Sequence, residues 1–145
     1  MSAKQESAIS CLHSGFNCAQ AVFTAFCEDY GLDKELALKV AGGLGGGCRS
    51  GEICGAASGA VLVVGMKHGQ VDAGDVESKA NCGAKTMEFL NLFRERNEAI
   101  TCRDLLGVDT STPEGRKLAQ DRNLFRTICD DLVRHAVADL EGLGY

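Results

Sequence analysis

Apolar residues recur at intervals of three and four along most of this chain, which is the spacing of amphipathic helices. In the segment that follows Asp75, for example, Val76, Ala80 and Met87 fall on one stripe. No run alternates between apolar and polar residues over a useful strand length. The pattern therefore predicts an all-α fold.

The predicted helices follow one another closely from end to end. They cover residues 3–14, 18 to about 30, a short segment after Asp33, a segment that opens at Cys54, 75 to about 98, a single turn at 102–106, and about 114–141. We expect one domain, residues 1–145, built as a bundle of about five to six helices with a glycine- and cysteine-rich loop.

Residues that favour helix N-caps stand directly before several of these segments: Asn17, Asp33, Asp75 and Thr101. Asn17 and Thr101 place Cys18 and Cys102 at first helical positions, and Cys54 opens the fourth helix. The unpaired amides and the dipole at a helix N-terminus favour a thiolate. These positions therefore predict lowered thiol pKa values.

Charge and targeting signals exclude several classes of function. The chain carries a net charge of −5 and no basic cluster in the loop or in any predicted helix, so nucleic-acid binding has no electrostatic support. No apolar run approaches the ~20 residues of a membrane span. The N-terminal residues also lack the charge and apolar core of a signal peptide. We therefore expect a cytoplasmic protein without membrane insertion.

Cysteines are frequent for that compartment, with eight in the chain. Cys129 lies on the apolar stripe of the last predicted helix, where packing could bring it to Cys18, Cys54 and Cys102. These four are separated by 36, 48 and 27 residues, a spacing of neither zinc ribbons nor bacterial ferredoxins. A common site would have to be assembled by tertiary packing.

Three further cysteines are expected to be ordinary buried residues: Cys11, Cys27 and Cys82. Cys48 is open between that role and a part in the site. Among the histidines only His13 lies close enough in sequence to Cys18 to reach it, and a solvated loop histidine is the favoured alternative. Asp130 and Arg134, four residues apart, predict an ordinary ion pair on a helix surface.

Six glycines fall within residues 42–54. Because glycine permits positive φ and close approach, the amides of this loop could point at a bound group. The residues expected to contact such a group are Gly46, Gly47, Cys48 and Gly55. The spacing matches neither a phosphate-binding nor a dinucleotide-binding loop. A tight turn without a ligand is the alternative.

The order of these residues resembles a family of small proteins inferred to be redox-active from four dispersed cysteines around a Cys-Gly-Ala-x-x-Gly motif. The matching residues are Asn17-Cys18-Ala19-Gln20, Cys54-Gly55-Ala56-Ala57-Ser58-Gly59-Ala60, Cys102-Arg103-Asp104-Leu105-Leu106-Gly107 and Cys129. The resemblance spans about residues 15–137. It implies redox chemistry at the four cysteines, and the fusion of related domains to cytochromes implies electron transfer or a cysteine-held iron centre.

Two forms of that chemistry stay open. The four cysteines could hold an iron–sulfur cluster, or they could act as bare thiols in an oxidoreductase, in either case with a redox partner that the sequence does not identify. A different class of function is a structural zinc site, with the same cysteines as metal ligands, in a helical interaction module without redox activity. A third is a homodimer formed through the small-residue helix that follows Cys54.

Overall fold

Eight α-helices account for most of the computed structural model, which describes all residues from 1 to 145. They are α1 Ala3–His13, α2 Cys18–Phe26, α3 Lys34–Val40, α4 Gly55–His68, α5 Val76–Asn97, α6 Cys102–Leu106, α7 Pro113–Asp121 and α8 Ile128–Gly142. A 3-10 turn, Cys27–Tyr30, follows α2, and a π turn, Gly47–Gly51, precedes α4. No strand forms beyond an isolated bridge between Ile53 and Thr101. The all-α prediction is confirmed.

The helices begin where the sequence predicts, because the expected caps form. In each case the side chain of the N-cap residue accepts a hydrogen bond from a backbone amide three residues later: Asn17, Asp33, Asp75 and Thr101. The Gln20 side chain also accepts a bond from the Asn17 amide, which completes a capping box. Cys18 and Cys102 are accordingly the first residues of α2 and α6.

The number of helices is larger than the five to six that were predicted, chiefly because the segment from 114 to 141 is not one helix. It divides into α7 and α8, with a turn between them in which Asn123 takes a left-handed conformation (φ 57°). Asn is one of the few residues that adopt this conformation readily. The break places Cys129 in the first turn of α8 rather than in the middle of a long helix.

Most of the apolar core lies around α2, which packs against α1 and α4 and is covered by α8. Four phenylalanines are fully buried there: Phe23, Phe26, Phe89 and Phe93. A separate, smaller cluster joins α6 to α7 and α8, and it contains Cys102 and Cys129. Cys18 packs against both clusters, so it stands at the junction between them.

None of the helices combines the length and hydrophobicity that a membrane-spanning segment requires.

Candidate functional site

Four cysteines line one cavity of about 540 Å³: Cys18, Cys54, Cys102 and Cys129. The cavity lies where the N-terminal ends of α2, α4, α6 and α8 meet. Cys54 is the N-cap residue of α4, and the other three are in the first turns of their helices. Cys18 is half-buried, whereas the other three are buried. All four are free thiols.

Two glycines of α4 explain how Cys54 comes close to Cys18. A Cβ atom on Gly59 would lie 2.6 Å from the backbone oxygen of Ala19, which is far inside contact distance. A Cβ atom on Gly55 would lie 3.3 Å from the Cβ of Cys18. Only glycine therefore allows α4 to pack this tightly on α2, and the packing sets Cys54 beside the first turn of α2.

Backbone hydrogen bonds fix Cys54 relative to Cys102. The Cys54 amide donates to the carbonyl of Ile100 at 2.8 Å, and the Cys102 amide donates to the carbonyl of Glu52 at 2.7 Å. Between them lies the antiparallel bridge of Ile53 with Thr101. The segments leading into α4 and α6 are thus paired like two short strands, and their cysteines enter the cavity side by side.

Cys129 is a close neighbour of Cys18, and it is the largest cause of the raised pKa of the Cys18 thiol. The Cys102 thiol lies 3.6 Å from the hydroxyl oxygen of Thr110, a buried residue of the cavity wall. Thr110 was not among the predicted site residues, because it sits in the loop after the Cys102–Gly107 motif.

Asp130 follows Cys129 directly, and its position corrects a prediction. Its side chain is only 8 % exposed, and its carboxylate contacts Nε2 of His13 at 2.8 Å. Arg134 is 3.8 Å away. The i,i+4 spacing to Arg134 suggested an ordinary surface pair, but the neighbouring Cys129 and the apolar stripe were the better indication that this face is buried.

A family described as "putative redox-active protein (C_GCAxxG_C_C)" matches residues 16–143. The chain belongs to this family. The match confirms the resemblance seen in the sequence. No curated protein and no solved structure matches the sequence.

Burial reverses the expected effect of the helix N-termini on the family cysteines. It raises the pKa of Cys54 to about 12, although the amides of Ala56 and Ala57 act in the opposite direction. The neighbouring Cys129 side chain, followed by burial, raises the pKa of Cys18 well above its usual value. Burial also raises the pKa of Cys102. The prediction of lowered pKa values is wrong, because desolvation of a thiolate outweighs the helix dipole here.

These shifts predict that the reduced, metal-free protein loses stability at alkaline pH. The unfolded chain releases the Cys54 proton near its ordinary pKa of 9.0, while the folded chain retains it to about 12. Stabilisation is therefore complete below pH 9.0 and is lost as the pH rises towards 12. Denaturant unfolding at a series of pH values measures this. In a Cys54→Ala variant the free energy of unfolding should fall less steeply with pH. If it falls as steeply as in the wild-type protein, the loss of stability does not come from Cys54.

Only two of the four loop residues expected to contact a bound group lie at the cavity. Gly46 and Gly55 are on the cavity wall, whereas Gly47 and Cys48 are not, and Cys48 is exposed to solvent. Four consecutive residues from Gly46 to Arg49 have positive φ, which is unfavourable at Cys48 and Arg49. A Cβ atom on Gly47 would lie 2.4 Å from the amide nitrogen of Glu52, so this turn requires glycine.

The remaining cysteines lie outside the cavity lining. Cys11 and Cys27 are buried in the main core, and Cys82 is half-buried on α5. No three side chains among histidine, cysteine, aspartate and glutamate are arranged to hold a single metal ion. A mononuclear zinc site therefore has no support from this geometry.

Proposed function

We propose that the protein is a thiol-based redox protein in which Cys18 and Cys129 are the reacting pair, and Cys54 and Cys102 complete the site. The observation that carries this proposal is that Cys18 and Cys129 line the same cavity, where Cys129 is the strongest influence on the pKa of the Cys18 thiol. Neighbouring thiols need little movement to become a disulfide. Both also line a cavity that a substrate can occupy.

In the forward reaction the two thiols give up two protons and two electrons and form one sulfur–sulfur bond. A disulfide-containing molecule accepts them and is released as two thiols, so atoms and electrons balance. The first step requires a thiolate, which burial disfavours at Cys18. The negative charge of Asp130 disfavours the Cys18 thiolate further, because it also raises the pKa of Cys18.

The second candidate is electron transfer by an iron–sulfur cluster. It is favoured by one specific observation, the presence of four cysteines on the wall of a single cavity. Cys18, Cys54, Cys102 and Cys129 would hold the cluster as thiolates, and the cluster would supply one-electron chemistry. Raised thiol pKa values do not prevent this, because a metal deprotonates its cysteine ligands.

The two candidates are separated by analysing protein purified without oxygen. The disulfide proposal predicts no stoichiometric iron or acid-labile sulfide, and mild oxidation should give one bond that peptide mass analysis maps to Cys18 and Cys129. Iron with matching sulfide would overturn it in favour of the cluster. A bond between other cysteines would overturn the choice of reacting pair.

Cysteine variants give the corresponding prediction. Cys18→Ser should abolish reversible oxidation, because the remaining thiol of Cys129 loses its partner in the cavity. Cys27→Ser is the matched control, since Cys27 lies just beyond the other end of α2, is buried, and also has a pKa raised by burial. It should oxidise and reduce like the wild-type protein, measured by thiol titration after cycles of oxidant and reductant. Equal losses in both variants would contradict the assignment.

A further inference from the structure

The cavity that the four thiols line is positively charged, in contrast to the chain as a whole. The whole chain carries 20 acidic and 15 basic residues. Yet no aspartate or glutamate is among the residues that line the cavity, and three arginines are. They come from separate parts of the chain: Arg49 from the left-handed turn, Arg116 from α7, and Arg126 from the turn before α8.

The guanidinium groups of these three arginines form no ion pair or hydrogen bond within the protein. Elsewhere, Arg96, Arg103 and Arg134 each bind a carboxylate. Arg94 binds the side chain of Asn91. Only Arg122, on the surface, resembles the cavity arginines in lacking a partner. Three of the four unpartnered arginines therefore face the same space as the thiols.

We propose that the cavity binds a small anionic disulfide, one that carries carboxylates, as the oxidising substrate of the Cys18–Cys129 pair. This inference rests on the proposed thiol function and names its substrate class. Guanidinium groups bind carboxylates through paired, directed hydrogen bonds, so they would both attract and orient such a molecule. A positive site on a negatively charged protein also selects against cationic and neutral disulfides.

The size of the cavity favours a small molecule over the surface of an acidic protein. Its volume of about 540 Å³ is that of a typical small-molecule site. The apolar residues Phe16, Leu106 and Phe125 share its wall with the arginines. An amphipathic ligand can therefore place its disulfide at the thiols while its carboxylates remain with the guanidinium groups.

The test compares an anionic disulfide reagent with an uncharged one. Dithiobis(nitrobenzoate) carries two carboxylates, and dithiodipyridine is uncharged at mildly alkaline pH. Both react with the reduced full-length protein in a Cys48→Ser/Cys82→Ser background, and mass analysis locates the products. We expect Arg116→Gln and Arg126→Gln each to slow the anionic reagent about three- to fivefold, with little change for the neutral one. Added salt should reduce the preference for the anion.

Arg122→Gln is the matched control, because it removes an unpartnered arginine from the same region without altering the cavity. It should leave both rates unchanged. Equal slowing in Arg122→Gln and Arg116→Gln would show a general charge effect and overturn the proposal. The proposal would also be overturned if loss of the cavity arginines slowed only the reaction with a disulfide carried by an acidic protein.

A binding measurement separates failure of this inference from failure of the thiol function. The thioether thiodibenzoate has the two carboxylates but no disulfide to exchange, and calorimetry can follow its binding to Cys18→Ser/Cys129→Ser protein. Binding that is lost in Arg116→Gln/Arg126→Gln supports the anion site even if the thiols prove inert. Absence of binding overturns it even if Cys18 and Cys129 form a disulfide.

Discussion

Gly59→Ala should lower the free energy of unfolding by about 3 kcal/mol, although it adds a single methyl group to a helix. The new Cβ would lie 2.6 Å from the Ala19 oxygen and 2.9 Å from its Cα, both of them backbone atoms of α2. Neither can move without displacing the whole helix. The gain in helix propensity from glycine to alanine, about 1 kcal/mol, is smaller than this strain. Denaturant unfolding of the reduced protein measures the difference.

The control for this prediction is Gly83→Ala in α5. Gly83 is also inside a helix, but a Cβ there would meet no atom within 4 Å. It should stabilise the protein by about 0.5–1 kcal/mol, because only the propensity term remains. If both variants change the free energy of unfolding in the same direction, close packing of α2 and α4 is not the reason that position 59 requires glycine.

The packing also connects Gly59 to the site. Displacement of α4 from α2 would carry Cys54 away from Cys18 and open the cavity to water. We therefore expect Cys54, which is 4 % exposed in the native protein, to be alkylated faster in Gly59→Ala at a denaturant concentration where the variant remains folded. In this family motif the glycines provide a close helix contact, and the cysteine provides the chemistry.

The parts of the fold that local sequence rules determine could be predicted. Caps such as Asn17 and Thr101 act on amides within three residues, so their effect is visible in a short stretch of chain. The same holds for the glycines that permit the left-handed turn before α4. Because Cys18, Cys54 and Cys102 stand next to these signals, their positions at helix starts were predictable as well, whereas that of Cys129 was not.

The break between α7 and α8 was not predictable from periodicity, since the apolar stripe runs on through Leu124 and Phe125. Tertiary contacts hold those two residues against the cluster around Cys102 and Cys129, outside either helix. The thiol pKa shifts were missed for a related reason. A helix terminus is visible in the sequence, whereas the burial that opposes it arises only when distant helices enclose the cavity.

Arg96→Ala should destabilise the protein by about 3–5 kcal/mol, the other large effect that the structure predicts. Asp139 on α8 is fully buried, and one of its oxygens accepts two bonds from Arg96 on α5, at 2.9 Å from Nε and 2.6 Å from Nη2. Its other oxygen has no partner. Removal of the guanidinium would leave a carboxylate enclosed between two helices with no countercharge. Denaturant unfolding again measures the loss.

Arg94→Ala is the matched control, because Arg94 lies one half-turn away on α5 and binds only the side chain of Asn91. Its loss should change stability by no more than about 0.5 kcal/mol. The double variant Arg96→Ala/Asp139→Ala should recover part of what Arg96→Ala loses, since it removes the unpaired charge together with its partner. The comparison also needs Asp139→Ala alone. If Asp139→Ala lowers the free energy of unfolding as much in the Arg96→Ala protein as in the wild type, the two side chains act independently and the ion pair does not hold α5 to α8.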